Sequence, residues 1–324
     1  MKSLAIEKQT FTYKTVDGCQ LQADVYTNPP LAPRPVLLWI HGGALISGSR
    51  SQLPTYQLER YIQAGFTVVS IDYRLAPETQ LEQIIEDLRD AYAWIITRGP
   101  QYFGLDGERV AVVGHSAGGY LTLMAGHCVQ PRPKAVVAFY GYGDIIGEWY
   151  TRPDPFYCKQ APVSIEDARR TVGNGVVTEA RGGERGRFYL YCRQTGRWPI
   201  EVAGHYPDLE QGWFKDFCPL HNVTSNYPPT LLIHGVPDTD VPYEQSLLMA
   251  QQLAAHKVEH ELITLPELGH AFDTKAGAEH SPEVLTIFNR VVEFLCTMAN
   301  THLPRDGPLA EANVWPDSLS TRLT

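Results

Sequence analysis

Three side chains of this sequence have the types and the order that nucleophilic acyl chemistry needs: Ser116, Asp238 and His270. A serine hydroxyl is a poor nucleophile at neutral pH. It gains reactivity when a histidine takes its proton and a carboxylate holds that histidine in one tautomer. Ser116 lies in Gly114-His115-Ser116-Ala117-Gly118, directly after the β-branched run Val110 to Val113. Small residues two before and two after a serine on a sharp strand-to-helix turn let the two elements pass close together. Asp238 follows the apolar run Thr230 to His234, and His270 follows Glu259 to Leu265 and the turn through Gly269. Asp240 is the rival acid in the same loop, but it abuts Val241-Pro242 and is expected to point outward or to cap a helix beginning near Tyr243. His41, His115, His234 and His280 are the main rivals for the base. His270 is preferred because a glycine, a small residue and an aromatic surround it in Leu268-Gly269-His270-Ala271-Phe272.

Acyl chemistry also needs backbone N–H donors aimed at the oxygen that becomes an alkoxide. Ala117 N–H, next to the nucleophile at a helix start, is one. Gly42, Gly43 and Ala44, where the run Pro35 to Ile40 stops, supply the others, because larger side chains there would crowd a substrate carbonyl.

The elements that must hold these residues alternate. Residues 10 to 26 alternate apolar and polar about Asp17-Gly18, as a β-hairpin at a sheet edge does. Pro35 to Ile40, Thr67 to Ile71, Val110 to Val113, Ala135 to Tyr140, Thr230 to His234 and Glu259 to Leu265 are short runs of the kind buried on both faces. Helices are expected at Tyr56 to Ala64, Leu81 to Thr97, from Gly119 as an amphipathic helix, Glu244 to Ala255 and Pro282 to Met298. Such alternation predicts an α/β fold: a mostly parallel sheet with helices on both faces and its ligand site at the carboxyl ends of the strands. The core spans 1–141 and 227–300. Residues 142–226 break the rhythm and are rich in aromatics, which water would not hold as a loop, so they are expected to form a cap inserted over the strand ends. A polar, proline-punctuated tail occupies 301–324.

Bulk properties exclude other classes. The chain has 324 residues, 44% of them hydrophobic, and a net charge of −9, which argues against a nucleic-acid surface. No apolar run approaches the ~20 residues that cross a bilayer, and the N-terminus has no signal-like apolar stretch. A soluble, cytoplasmic protein is expected, with no membrane span and with a homodimer left open. The six cysteines lack C-x-x-C spacing and read as free thiols, a disulfide among Cys158, Cys192 and Cys218 being the alternative. No metal site is expected.

Taken together, His41-Gly42-Gly43, the loop Asp72 to Glu78, Gly114 to Gly119, His234-Gly-x-x-Asp238 and Gly269-His270 resemble the α/β-hydrolase superfamily, and within it the hormone-sensitive-lipase-like esterases with an H-G-G loop. The order Ser116, Asp238, His270 is the order of that superfamily. The resemblance covers roughly residues 20 to 141 and 227 to 298 and implies hydrolysis of small-molecule carboxylic esters through an acyl-serine intermediate without a cofactor. Two positions depart from the family. Ala44 stands where a third glycine is usual, and His115 stands where those esterases commonly have an acidic residue. Histidine before the nucleophile is found more broadly among amidases, formamidases and peptidases of the superfamily, so a small-amide hydrolase is the second reading. A third is a non-catalytic ligand-binding relative of the fold. The expected cap also lies between the strands at Ala135 and Thr230, unlike the N-terminal helical cap of the lipase-like group.

Overall fold

The computed structural model describes residues 5–29, 33–301 and 320–321. Strands β1 (Glu7–Val16) and β2 (Cys19–Thr27) form the expected hairpin. Asp17 and Gly18 both take positive φ, 50° and 79°, which is the backbone a two-residue turn between twisted strands demands. Then follow β3 (Arg34–Ile40), α1 (Thr55–Gln63), β4 (Thr67–Ile71), α2 (Leu81–Phe103), β5 (Leu105–His115), α3 (Ala117–Cys128) and β6 (Ala135–Phe139). After β6 come five short helices: α4 (Glu148–Thr151), α5 (Ile165–Arg169), α6 (Gly182–Thr195), α7 (Trp198–Ala203) and α8 (Gln211–Lys215). The alternation resumes with β7 (Thr230–Gly235), α9 (Glu244–Ala255), β8 (His260–Leu265) and α10 (Pro282–Met298). Ser320 and Thr321 form β9, which pairs with β8. The rest of the expected tail beyond Thr301 lies outside the described residues.

All strands join one sheet in the order β1-β2-β4-β3-β5-β6-β7-β8-β9. From β4 to β8 the neighbours run parallel, whereas β1, β2 and β9 pair antiparallel at the edges. Val36, Leu37, Leu38, Val68, Val69, Val112, Val113, Val136 and Val137 are fully buried because helices cover both faces. Each such side chain contributes about 1.5–3 kcal/mol relative to an exposed one. These strands read as continuous apolar runs for the same reason.

Two expectations are corrected. The helix from Gly119 was expected to be amphipathic, but α3 is buried all round from Ala117 to Gly126. It lies at the centre, against β3, β5, β6 and α2, and only its last two residues, His127 and Cys128, are partly exposed. Helix α2 continues past Thr97 to Phe103, through Pro100. All six cysteines are free. Among the described residues no helix is long and apolar enough to cross a membrane, and no cluster of side chains has the make-up of a metal site.

Candidate active site

Ser116 occupies the turn between β5 and α3 at φ 56°, ψ −118°. A non-glycine residue there carries strain on the order of 1–3 kcal/mol. The surroundings fix it: Ser116 N–H donates to Phe139 O (2.9 Å) and Ser116 O accepts from Tyr120 N–H (2.9 Å). The flanking glycines are demanded by contact. A Cβ on Gly114 would stand 2.1 Å from Gly118 O, and one on Gly118 would stand 2.1 Å from Ile40 O. The steric reading of the motif therefore holds in space.

Asp238 follows β7 and His270 follows β8, and the structure brings them together: His270 Nδ1 lies 2.7 Å from Asp238 Oδ2. A carboxylate only accepts, so Nδ1 carries the proton. Asp238 is buried and heavily partnered. Oδ1 accepts the N–H of Asp240 (2.8 Å) and Val241 (2.9 Å), while His234 Nε2 lies 3.3 Å from Oδ2. Burial alone would raise the Asp238 pKa, but hydrogen bonds from His234 and His270 hold it well below the usual carboxylate range. His270 moves oppositely. Burial lowers its pKa, but the carboxylates of Asp240 and Asp238 outweigh this and raise it.

Ser116 and His270 line one cavity of about 540 Å³, together with Gly42, Gly43, Ala44, Tyr140, Tyr189 and Asp240. Ser116 Oγ and His270 are not hydrogen-bonded to each other among the described contacts. Instead His270 Nε2 lies 3.3 Å from Asp240 Oδ2. The expectation that Asp240 points outward or caps α9 is thus overturned: α9 has no side-chain cap, and Asp240 is drawn inward by Tyr157, Tyr189 and Arg193.

Of the residues expected to donate to an oxyanion, Gly42, Gly43 and Ala44 line the same cavity as Ser116. Gly43 has φ 105° and Ala44 φ 57°, so the chain after β3 turns through left-handed backbone. Ala117 opens α3 and is buried. Helix α7 steadies the loop, with Trp198 Nε1–H donating to Ala44 O (3.0 Å). Arg185 of α6 donates to Ile46 O and pairs with Glu78. His41 stacks on Tyr73, with ring centres 4.2 Å apart. Burial pushes its pKa down to about 4, so it is a neutral strut at pH 7.

Of the other histidines, His234 holds Asp238, and His115, which also lines the cavity, points its Nε2 at Asp273. His115 stacks on Phe139 and places Nε2 2.8 Å from Asp273 Oδ2. Asp273 is fully buried and accepts from Tyr140 OH (2.7 Å) and Gln57 Nε2 (2.7 Å). Its carboxyl pKa is lowered in spite of burial, chiefly by His115. The loop of His270 is thereby fastened to the residue beside the nucleophile. Sequence reasoning missed this strut and the inward Asp240. It treated His234 only as a rival base, although its place four residues before Asp238 signals the contact.

Residues 23–147 match the BD-FAE family and residues 191–301 the prolyl oligopeptidase family. Among curated relatives, a non-reducing polyketide synthase of Penicillium brasilianum is 30% identical over 347 residues, covering 91% of this chain and 14% of that protein. The esterase LipC of Mycobacterium tuberculosis is 31% identical over 258 residues, covering 78% of this chain and 57% of that one. The chain thus spans only a small part of the synthases and somewhat over half of the esterase. A Staphylococcus aureus protein of unknown function superposes with a TM-score of 0.71 at 24% identity, covering 90% of this chain and 99% of that one. An α/β-hydrolase superfamily protein of Enterococcus faecalis gives 0.68 at 22% identity, covering 89% and 98%. With the sheet order and the serine turn, these matches define the class by its architecture: the chain has the α/β-hydrolase fold.

Proposed function

We propose that this protein is a serine hydrolase that cleaves carboxylic esters of small molecules through an acyl-enzyme intermediate. The observation that carries this reading is the 2.7 Å contact between His270 Nδ1 and Asp238 Oδ2 in the cavity that Ser116 lines. In the proposed cycle, Ser116 Oγ attacks the ester carbonyl as its proton passes to His270 Nε2, and Asp238 stabilises the resulting imidazolium. N–H groups of Gly43, Ala44 and Ala117, with Gly42 shaping the loop, hold the tetrahedral oxyanion. His270 then protonates the departing alkoxide. Water, activated by the same imidazole, attacks the acyl-serine, releases the acid and restores the hydroxyl.

Residues 142–226 act in this reading as the cap over a core of 1–141 and 227–300. Helix α6 brings Arg185 and Tyr189 to the cavity wall. Trp39, Tyr140 and Tyr189 give that wall an aromatic character, and its charged groups Arg185 and Asp240 are already paired within the protein. Both features favour an uncharged substrate with a bulky apolar group. The likeness to the esterase LipC supports the ester reading.

Ser116→Ala is expected to abolish turnover of p-nitrophenyl acetate and butyrate, and a fluorophosphonate probe is expected to label Ser116 in the folded protein. Undiminished turnover by the variant would refute the assignment. A second reading, hydrolysis of small amides, is favoured by the prolyl oligopeptidase match over residues 191–301. Matched ester and anilide substrates separate the two, since an amidase keeps most of its kcat/KM on the anilide.

A further inference from the structure

We propose that Asp240 is a positioning residue for the base, a second carboxylate that the helices between β6 and β7 hold with one oxygen turned to His270 Nε2, so that the docking of those helices governs how freely that nitrogen takes the serine's proton. The proposal rests on the triad reading above.

The arrangement is a built one. Asp240 belongs to the loop after β7. Its Oδ1 accepts Tyr157 OH (2.6 Å), Tyr189 OH (2.5 Å) and Arg193 Nη1–H (3.0 Å), and its main-chain oxygen accepts Arg193 Nη1–H (2.7 Å). All three donors come from the inserted segment. Arg193 is 1% exposed, where an unpaired charge would be strongly unfavourable. It is offset by Asp154 and Asp240 and by the rings of Trp149, Tyr150, Tyr157 and Tyr189, whose centres lie 4.7 to 5.7 Å from the guanidinium carbon. The other oxygen of Asp240 faces His270 Nε2 at 3.3 Å.

Nε2 is the atom that must receive the hydroxyl proton, and it can do so only while unprotonated. A carboxylate beside it stabilises the protonated imidazole and withholds the base. Three donors on Oδ1 draw charge away from Oδ2 and weaken that hold; fewer donors strengthen it. The other groups around His270 are Asp238 at Nδ1, Asp273 in its own loop and Tyr140, whose ring centre lies 4.5 Å away. Behind them stand His234 on Asp238, His115 on Asp273, and Arg193 with Asp154 on Asp240. Burial lowers the His270 pKa, and the charge of Asp240 heads the influences that raise it, followed by the hydrogen bond and the charge of Asp238.

The test is the acid limb of kcat/KM for p-nitrophenyl acetate, a neutral ester, with the His270 imidazole titration followed by NMR as a readout that needs no turnover. Asp240→Asn keeps an acceptor for the tyrosines and removes the charge, and it is expected to move both midpoints down by about one pH unit, the lower end for losing a charge at this distance. Tyr157→Phe removes one donor and is expected to move both up by a smaller amount. A structural role alone would change kcat or Tm and leave the midpoints in place. If neither midpoint moves in Asp240→Asn, or none moves in Tyr157→Phe, the proposal is overturned. Failure of the triad reading is a different result: wild-type protein that a fluorophosphonate does not label at Ser116.

Discussion

Replacing Asp238 by Asn gives a sharp test of the triad, because the structure dictates which way the amide must face. Oδ1 of Asp238 accepts two backbone N–H groups, from Asp240 and Val241. The Asn carbonyl must take that place, since the reverse orientation would set the NH2 against both donors and leave each unsatisfied, at about 1–3 kcal/mol apiece. The NH2 is then forced into the position of Oδ2, 2.7 Å from His270 Nδ1. There it donates, so Nδ1 becomes an acceptor and the ring's proton moves to Nε2. Such an imidazole cannot take the hydroxyl proton of Ser116. The loss expected for a wrong tautomer is about 10⁴-fold in kcat, or about 5.4 kcal/mol at 1.36 kcal/mol per tenfold. The two backbone hydrogen bonds survive, so the variant should retain the wild-type circular dichroism spectrum and a cooperative thermal transition. The assay is kcat on p-nitrophenyl acetate at pH 8. A folded Asp238→Asn protein within tenfold of wild type would refute the claim that this carboxylate sets the tautomer of His270.

Three further outcomes are expected. Gly43→Ala places a Cβ 2.2 Å from Ser47 O on a residue with φ 105°; the loop must shift, and loss of one oxyanion donor should lower kcat about 10²–10³-fold, measured on the same ester. Because the His270 pKa is raised, the unprotonated base is lost as pH falls through a value above the ordinary ~6.5 of histidine, and the acid limb of kcat/KM should lie there in the wild-type protein. Asp273 has a lowered folded pKa, so its stabilising contribution is present above its unfolded value of ~3.9 and lost as pH falls through the folded value. Asp273→Asn should therefore cost about 3 kcal/mol at pH 7, as breaking a buried pair does, and should flatten the fall in stability below pH 4 in urea titrations.

What the sequence discloses here follows the range over which each constraint acts. The serine turn is local: two backbones meet at Gly114 and Gly118, only glycine fits, and the spacing records it. Strands β4 and β6 are legible because burial on both faces leaves nothing but apolar residues between Thr67 and Ile71 and between Ala135 and Phe139, apart from Thr67 and Ser70. The order Ser116, Asp238, His270 is legible because it follows the order of the strands. Helix α6 escapes for the opposite reason. Its buried face is Arg185, Phe188, Tyr191, Cys192 and Arg193, at helical spacing, but two of the five are arginines that a hydrophobicity pattern counts as solvent-facing. Their burial is possible only because Glu78, Asp154 and Asp240 meet them, and those carboxylates lie tens of residues away. The orientation of Asp240 is hidden by the same separation, since its side-chain donors are Tyr157, Tyr189 and Arg193, 83, 51 and 47 residues distant. A reading residue by residue sees an acidic side chain before a proline and sends it to solvent. Charges that cross from the helices between β6 and β7 to the strand ends add to the apolar packing of Phe188, Trp198 and Phe214 against the core, and a pattern of apolar residues carries no record of them.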